Sequence, residues 1–285
     1  MFSATSPDHG SFSSSSMPSW GEVWRSRYST FRSISDAVSI STGVSARDLY
    51  KQVLLHLPRF SRDALSDPLL IRAEAERLAG RLLLKRQSFQ AWTSRPAIPY
   101  LDKSNLFVCP CDLKIAQDIC DRFHYIGSFR EAMFHLGLYA PSVDRVPMAL
   151  VSLSRMDIRN LEWLFGPPAQ DSKVLVLSRL FVFDWAPRNT VSFFLARVNT
   201  WIKRHMPKVD TLVTYVNPNL GFSGASFLAS NWKPLLETGV RYLYLNQNYI
   251  TYRTFVALSP SLQEHVCSSR YPLDPLKLLK YSIGG

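Results

Sequence analysis

The chain has 285 residues, of which 46% are apolar and 19% charged, and a formal net charge of +11. At roughly 100–200 residues per domain this length holds one large or two small domains, and the composition excludes a chain disordered throughout, a collagen-like fibre and a disulfide mini-protein. The 33 basic against 22 acidic side chains suit a polyanionic partner such as nucleic acid, or an anionic cofactor, and they equally suit solubility.

No basic tail carries the surplus: residues 1–100 hold 13 basic and 8 acidic side chains, and residues 101–285 hold 20 and 14. Four cysteines are too few to frame a chain of this size, and the first 20 residues lack an apolar secretory core. A reducing, intracellular location is therefore expected. Cys109-Pro-Cys111 lacks zinc spacing and a histidine partner, so no metal is expected. No apolar run reaches the ~18 residues of a membrane span.

In chain order, residues 1–32 begin as a Ser-rich segment with nothing to bury and are expected to be flexible. Residues 33–99 look helical. Ser45 can cap a helix over about Ala46–Leu57, with Asp48 in its first turn and Val44 stapling onto Leu49. A shorter helix over Ser33–Ile40 precedes it, and Thr42-Gly43 supplies a turn. The pair reads either as a helix-turn-helix presenting Arg47, Tyr50 and Lys51, or as an ordinary helical hairpin. Asp67-Pro68 starts a stronger helix in which Ile71, Ala75, Leu78 and Leu82 mark the packed face. Arg77, Arg81 and Lys85 recur at i,i+4 on the other side, as a phosphate-binding stripe or a solvated face.

Pro96–Pro99 reads as a linker, and a different pattern follows. A helix is expected over Leu113–Phe123, strands over Ala132–Tyr139, Val146–Leu153 and Val174–Asp184, and a helix from Asn189 or Thr190 to His205. A strand over Thr211–Tyr215, a short helix over Ser223–Ser230 and a strand over Tyr242–Leu245 complete the pattern. The Asn246-Gln-Asn248 turn suggests a hairpin with one aromatic face, for core packing or for base stacking. The alternation of helices and strands is an α/β order, and no Walker or dinucleotide glycine motif occurs.

The segments Arg122-Phe-His-Tyr-Ile-Gly127, Leu177-Ser-Arg-Leu180, Pro187-Arg-Asn-Thr190 with Ser192, and Tyr215-Val-Asn-Pro-Asn-Leu-Gly221 through Asn231-Trp232 stand in the order of the phage Mom family, which they resemble over about half the chain. The resemblance implies a GNAT-like mixed sheet flanked by helices over residues 105–260, preceded by the helical region and followed by a C-terminal tail over 261–285. It implies acyl-type transfer to an exocyclic amine of a DNA base, an acyl-CoA or other acyl donor, DNA as partner and, for a phage-encoded protein, the host cytoplasm.

On that basis His124, Tyr125, Arg179, Tyr215 and Asn217 are the candidate catalytic residues. Val182, Arg188, Asn189, Thr190 and Ser192 would hold the donor, with helix N-terminal amides facing its pyrophosphate. Arg47, Arg77, Arg81 and Lys85 would hold DNA. His124 could be a base or a structural histidine, and Arg179 could grip an anion or sit in a buried ion pair. Where the family reads Y-x-D-P-x-x-G-H-x-G-x-x-Y, this chain has Asn217, Phe222 and Phe227 for the acid, the histidine and the second tyrosine. Three titratable groups are replaced together. That leaves two alternatives to a DNA-modifying enzyme: a catalytically silent nucleic-acid-binding relative, or an acyltransferase acting on a protein or small-molecule amine.

Overall fold

In the computed structural model, the described residues are 17–95, 97–98, 105–140, 145–166 and 173–283. Residues 1–16 of the Ser-rich start and both prolines of the Pro96–Pro99 linker lie outside them. The flexible segment expected over residues 1–32 does not extend that far. Ser19 and Glu22 form a reciprocal capping box that starts α1 (Trp20–Ser26), and α2 (Tyr28–Thr42) follows directly. The Trp20 side chain is fully buried, and its indole N–H donates to the Asn219 carbonyl.

Gly43 ends α2 in the left-handed conformation (φ 73°), where a side chain would be strained. Ser45 accepts from the Asp48 amide at the start of α3 (Ala46–His56). Asp67 caps α4 (Pro68–Arg86) with proline at its first position, and the short α5 (Gln90–Thr93) closes the helical region. The helix-turn-helix expectation fails at α3. Seven of its eleven residues are buried, from Asp48 through His56, so it is a core helix packed against α2 and α4 and presents no free recognition face.

The rest of the chain builds a seven-stranded mixed sheet in the order β1 (Phe107–Pro110), β2 (Phe134–Tyr139), β3 (Ala149–Arg155), β4 (Val174–Val182), β5 (Thr211–Val216), β10 (Leu276–Ser282), β6 (Lys233–Thr238). Only β4 and β5 run parallel. Helices α6 (Leu113–Asp118), α7 (Ile158–Phe165) and α8 (Thr190–His205) flank it, and Phe194, Leu195, Val198 and Ile202 of α8 are buried in its core. A second sheet holds β7 (Leu243–Leu245), β8 (Asn248–Ile250) and β9 (Cys267–Ser268). Asn246 and Gln247 both take positive φ in the β7–β8 turn, the geometry of a tight two-residue hairpin.

Two boundaries shift. Residues 261–285, expected as a tail, carry β10, which is inserted between β5 and β6 with Leu278 and Leu279 buried. The helical region shares one core with the C-terminal half, because Leu54, Leu78, Tyr242, Tyr244 and Tyr271 pack in a single cluster. The Tyr244 hydroxyl donates to the Leu55 carbonyl, and Arg86 donates to the carbonyls of Arg122 and Phe123. The helix expected over Leu113–Phe123 changes character at Ile119, where α6 widens into a π turn over Ile119–Phe123. That extra residue swings His124 out of the helix and off its axis.

Candidate active site

Parallel pairing of β4 with β5 stops early. Val174–Leu177 pair with Thr211–Thr214, and the Thr214 hydroxyl donates to the Leu177 carbonyl at 3.0 Å. At Ser178 the register against β3 shifts by one residue. Beyond this bulge Arg179–Val182 stay paired with β3, while β5 diverges, so the two strands splay. A cavity of about 380 Å³ occupies the gap.

Its walls come from β4 (Leu177–Val182), β5 (Thr214–Val216), the loop through Gly221–Phe227, the His124-Tyr125 pair and one face of α3. The structure therefore gathers His124, Tyr125, Arg179, Tyr215, Asn217 and Val182 at one place. Arg47, Asp48 and Lys51 join them from α3. Lys51, which the sequence placed on a recognition helix, is a site residue whose role was missed. Its i,i+4 spacing from Arg47, which puts both cations on one helix face, was the available signal.

Arg179 forms no ion pair among the described residues. Its guanidinium donates to the Ser178 carbonyl at 2.8 Å and to the Ser128 carbonyl at 3.3 Å, and its Nε is buried without a partner. A half-buried cation held only by neutral oxygens is an attractor for an anion. Lys51 has no salt bridge among the described residues; its ammonium lies 5.2 Å from the centre of the Phe222 ring. Burial, helped by the Arg47 charge, pulls its pKa down to about 8.

His124 is not arranged as a base. It is buried, and its Nδ1 accepts from the Ile126 amide at 3.3 Å, which leaves the proton on Nε2. Burial, with Arg179 and Lys51 nearby, holds its pKa well below the usual histidine range. It is a neutral donor with its lone pair already engaged. The Tyr125 ring stacks on it at 4.4 Å and meets Phe222 at 5.5 Å. Burial raises the Tyr125 hydroxyl to about 12, and burial also raises Tyr215. Both stay protonated and can donate a proton.

Asn217 serves structure rather than chemistry. Its amide nitrogen donates to the Tyr242 hydroxyl at 2.8 Å, and its oxygen accepts from the Asn219 amide and side chain. Phe222 packs on Tyr125 and Phe227 on Trp232, so these replacements have apolar partners.

The donor loop differs from expectation. Asn189 precedes α8 with φ 64° and gives it no side-chain cap. The Thr190 hydroxyl donates to the Pro187 carbonyl and the Ser192 hydroxyl to the Asn189 carbonyl. Those side chains are spent on the turn, and Arg188 is exposed beside the helix start. Of this loop Val191 reaches the cavity, whereas Arg188, Asn189, Thr190 and Ser192 do not.

Three of the four side chains expected to contact DNA have protein partners. Arg47 pairs with Asp184 at 2.6 Å and donates to the Val182 carbonyl. Arg77 pairs with Glu74 and, like Arg81, donates to the Asn248 side chain of the β7–β8 hairpin. Only Lys85 of that stripe is exposed. The aromatic face of the hairpin belongs to the core, with Tyr242 and Tyr244 buried. Among the described residues no group of three or more His, Cys, Asp or Glu side chains could hold a metal ion, and no helix is long and apolar enough to cross a membrane.

A mixed sheet whose parallel central strands splay around a cavity is the architecture implied by the GNAT resemblance. Residues 105–269, more than half of the chain, match the model of the Mom protein family, and the protein belongs to that family. No curated protein sequence matches the chain. Among solved structures it is similar to Arabidopsis thaliana NAA60 in complex with acetyl-CoA (12% identity, 63% of this chain and 99% of that one, TM-score 0.38). It is also similar to an aminoglycoside N(6')acetyltransferase from Legionella pneumophila (9% identity, 70% and 87%, TM-score 0.34). A third is a probable acetyltransferase from Staphylococcus epidermidis (13% identity, 62% and 98%, TM-score 0.35).

Proposed function

We propose that this Mom-family protein transfers an acyl-type group to the exocyclic amine of a base in DNA. The observation that carries the reading is the splayed β4–β5 cavity with Arg179 at its wall. Backbone beyond Leu177 has no β5 partner there, which fits the residues to a donor such as an acyl-CoA laid along β4. Such a donor supplies an electrophilic thioester carbonyl. The base amine would add to that carbon and the C–S bond would break; the Tyr125 or Tyr215 hydroxyl would give its proton to the departing thiolate and be restored by the proton the amine loses.

The nucleic acid would approach beside Tyr215. Arg130 lies within electrostatic reach of Arg253, of Arg179 and of the exposed Tyr215, and Tyr252 is 62% exposed next to Arg253. Guanidinium groups interleaved with accessible rings suit backbone phosphates and an extruded base. Phe222 and Phe227, packed on apolar neighbours in place of titratable groups, favour a second reading: a silent relative that binds DNA without modifying it.

Nucleoside mass spectrometry of DNA from cells expressing the protein tests the choice. A new modified nucleoside is expected. Unmodified DNA alongside folded, DNA-binding protein and a supplied donor supports the silent reading.

A further inference from the structure

Three cations line the cavity, Arg47, Lys51 and Arg179, against one carboxylate, Asp48. The carboxylates within reach are committed. Asp48 pairs with Arg86 at 2.9 Å, and Asp184, just outside, pairs with Arg47 at 2.6 Å. Asp121, on the far side of the His124 turn, accepts from the Phe129 amide. What remains is two positive charges, Lys51 and Arg179, that approach the buried His124 from different elements and make no salt bridge among the described residues; Asp48 and Asp184 act on Lys51 only at longer range.

We propose that the inner end of this cavity is a subsite for a carboxylate carried on the donor's acyl group, held between the Lys51 ammonium and the Arg179 guanidinium. The inference rests on the acyl-donor reading above and names the class of donor. Depth selects a small ligand, because His124 at the inner end is 6% exposed; a DNA phosphate would meet Arg130 and Arg253, which do not line the cavity. The donors still available are the terminal guanidinium N–H groups of Arg179 not spent on Ser178 and Ser128, the Lys51 ammonium and the Nε2–H of neutral His124. They match the two oxygens of a carboxylate, and a plain acetyl group would leave both charges without an anion between them. Lys51 lies outside the residues that match the family, so this specificity is a property the helical region adds to the fold.

The test is calorimetric titration of the full chain with acetyl-CoA, malonyl-CoA and succinyl-CoA. At least one of the two carboxylate-bearing thioesters is expected to bind tenfold or more tightly than acetyl-CoA. In Lys51→Met the preference is expected to shrink to within about twofold, while Lys51→Arg keeps most of it; thermal unfolding verifies that both variants are folded, and Lys51→Gln replaces any that is not. Equal affinities in the wild type, or a preference that survives in Lys51→Met, overturn the subsite and leave the acyl-CoA reading in place. Absence of binding by all three thioesters overturns both.

Discussion

Arg47, on the third helix of the N-terminal region, reaches the end of the central strand and pairs with Asp184 at 2.6 Å. The same guanidinium donates to the carbonyl of Val182, a backbone group that a donor lying along β4 would otherwise meet. One residue further on, Asp48 pairs with Arg86 at 2.9 Å. The first joins the helical region to the sheet region and the second ties α3 to α4 within the helical region, and they sit in different dielectric surroundings.

That difference sets their worth. Side-chain exposures of 41% and 46% for Arg47 and Asp184 contrast with 10% and 11% for Arg86 and Asp48. Arg47→Ala should cost no more than about 1 kcal/mol, the range of exposed pairs. Arg86→Met strands a buried carboxylate and should cost about 3 kcal/mol or more. Urea unfolding of the two variants checks the order, and equal losses would mean that exposure does not govern these pairs.

Arg179 should behave as a functional rather than a stabilising residue. Its half-buried guanidinium pairs with no carboxylate among the described residues, so Arg179→Met removes an uncompensated charge and should leave the melting temperature unchanged or higher. Modification of DNA should fall at least about 100-fold, and Arg179→Lys should also fail because one ammonium cannot keep the Ser128 and Ser178 contacts together. A melting temperature several degrees lower in the methionine variant would assign Arg179 to structure.

Acid should destabilise the protein through its histidines. His56 donates from Nδ1 to the Gln52 carbonyl and accepts at Nε2 from the Tyr249 amide, so the neutral ring fills both contacts. Burial lowers its pKa to about 3. The unfolded histidine, near 6.5, binds a proton first, so this stability is whole above about pH 6.5 and is lost as pH falls toward 3, at about 1.4 kcal/mol per unit. His124 shifts in the same direction. Chemical denaturation between pH 7 and 4 should show the loss, and His56→Gln should flatten part of it.

DNA affinity should fall steeply with salt as counterions are released. Arg130→Gln and Arg253→Gln should each reduce the log–log salt slope by about one. Arg77→Gln and Arg81→Gln should leave the slope alone, because those side chains serve the β7–β8 hairpin. Fluorescence anisotropy across a salt series measures both sets, and the reverse pattern would return the DNA interface to α4.

A buried amide should matter more than its place in a loop suggests. Asn219 accepts from the Asp274 amide, donates to the Asp274 carbonyl and the Asn217 side chain, and offers its own carbonyl to Trp20. Asn219→Ala leaves several of these groups unpaired in the interior and should cost about 2–3 kcal/mol. Thermal unfolding checks it, and a loss below half that figure would mean that water replaces the lost partners.

Local signals decided much of the fold. The caps at Ser45 and Asp67, the apolar period of α4, the β-branched run of β4 and the Asn246-Gln247 turn act within a few residues of themselves, so they can be read from the sequence. The residues flanking the splayed strands, Arg179 and Tyr215, were legible because their motifs keep the family's order. Tertiary structure alone decided the rest. It placed the last strand between β5 and β6, since sheet neighbours are chosen by long-range pairing that no local pattern encodes. It turned Arg47, Arg77 and Arg81 inward, because a basic side chain on a helix reads the same whether it meets phosphate, a carboxylate or the Asn248 amide. And it brought Lys51 and Arg179 to the wall of one cavity across more than a hundred residues of chain, neither with a salt bridge among the described residues, a property of the packed structure and not of either segment.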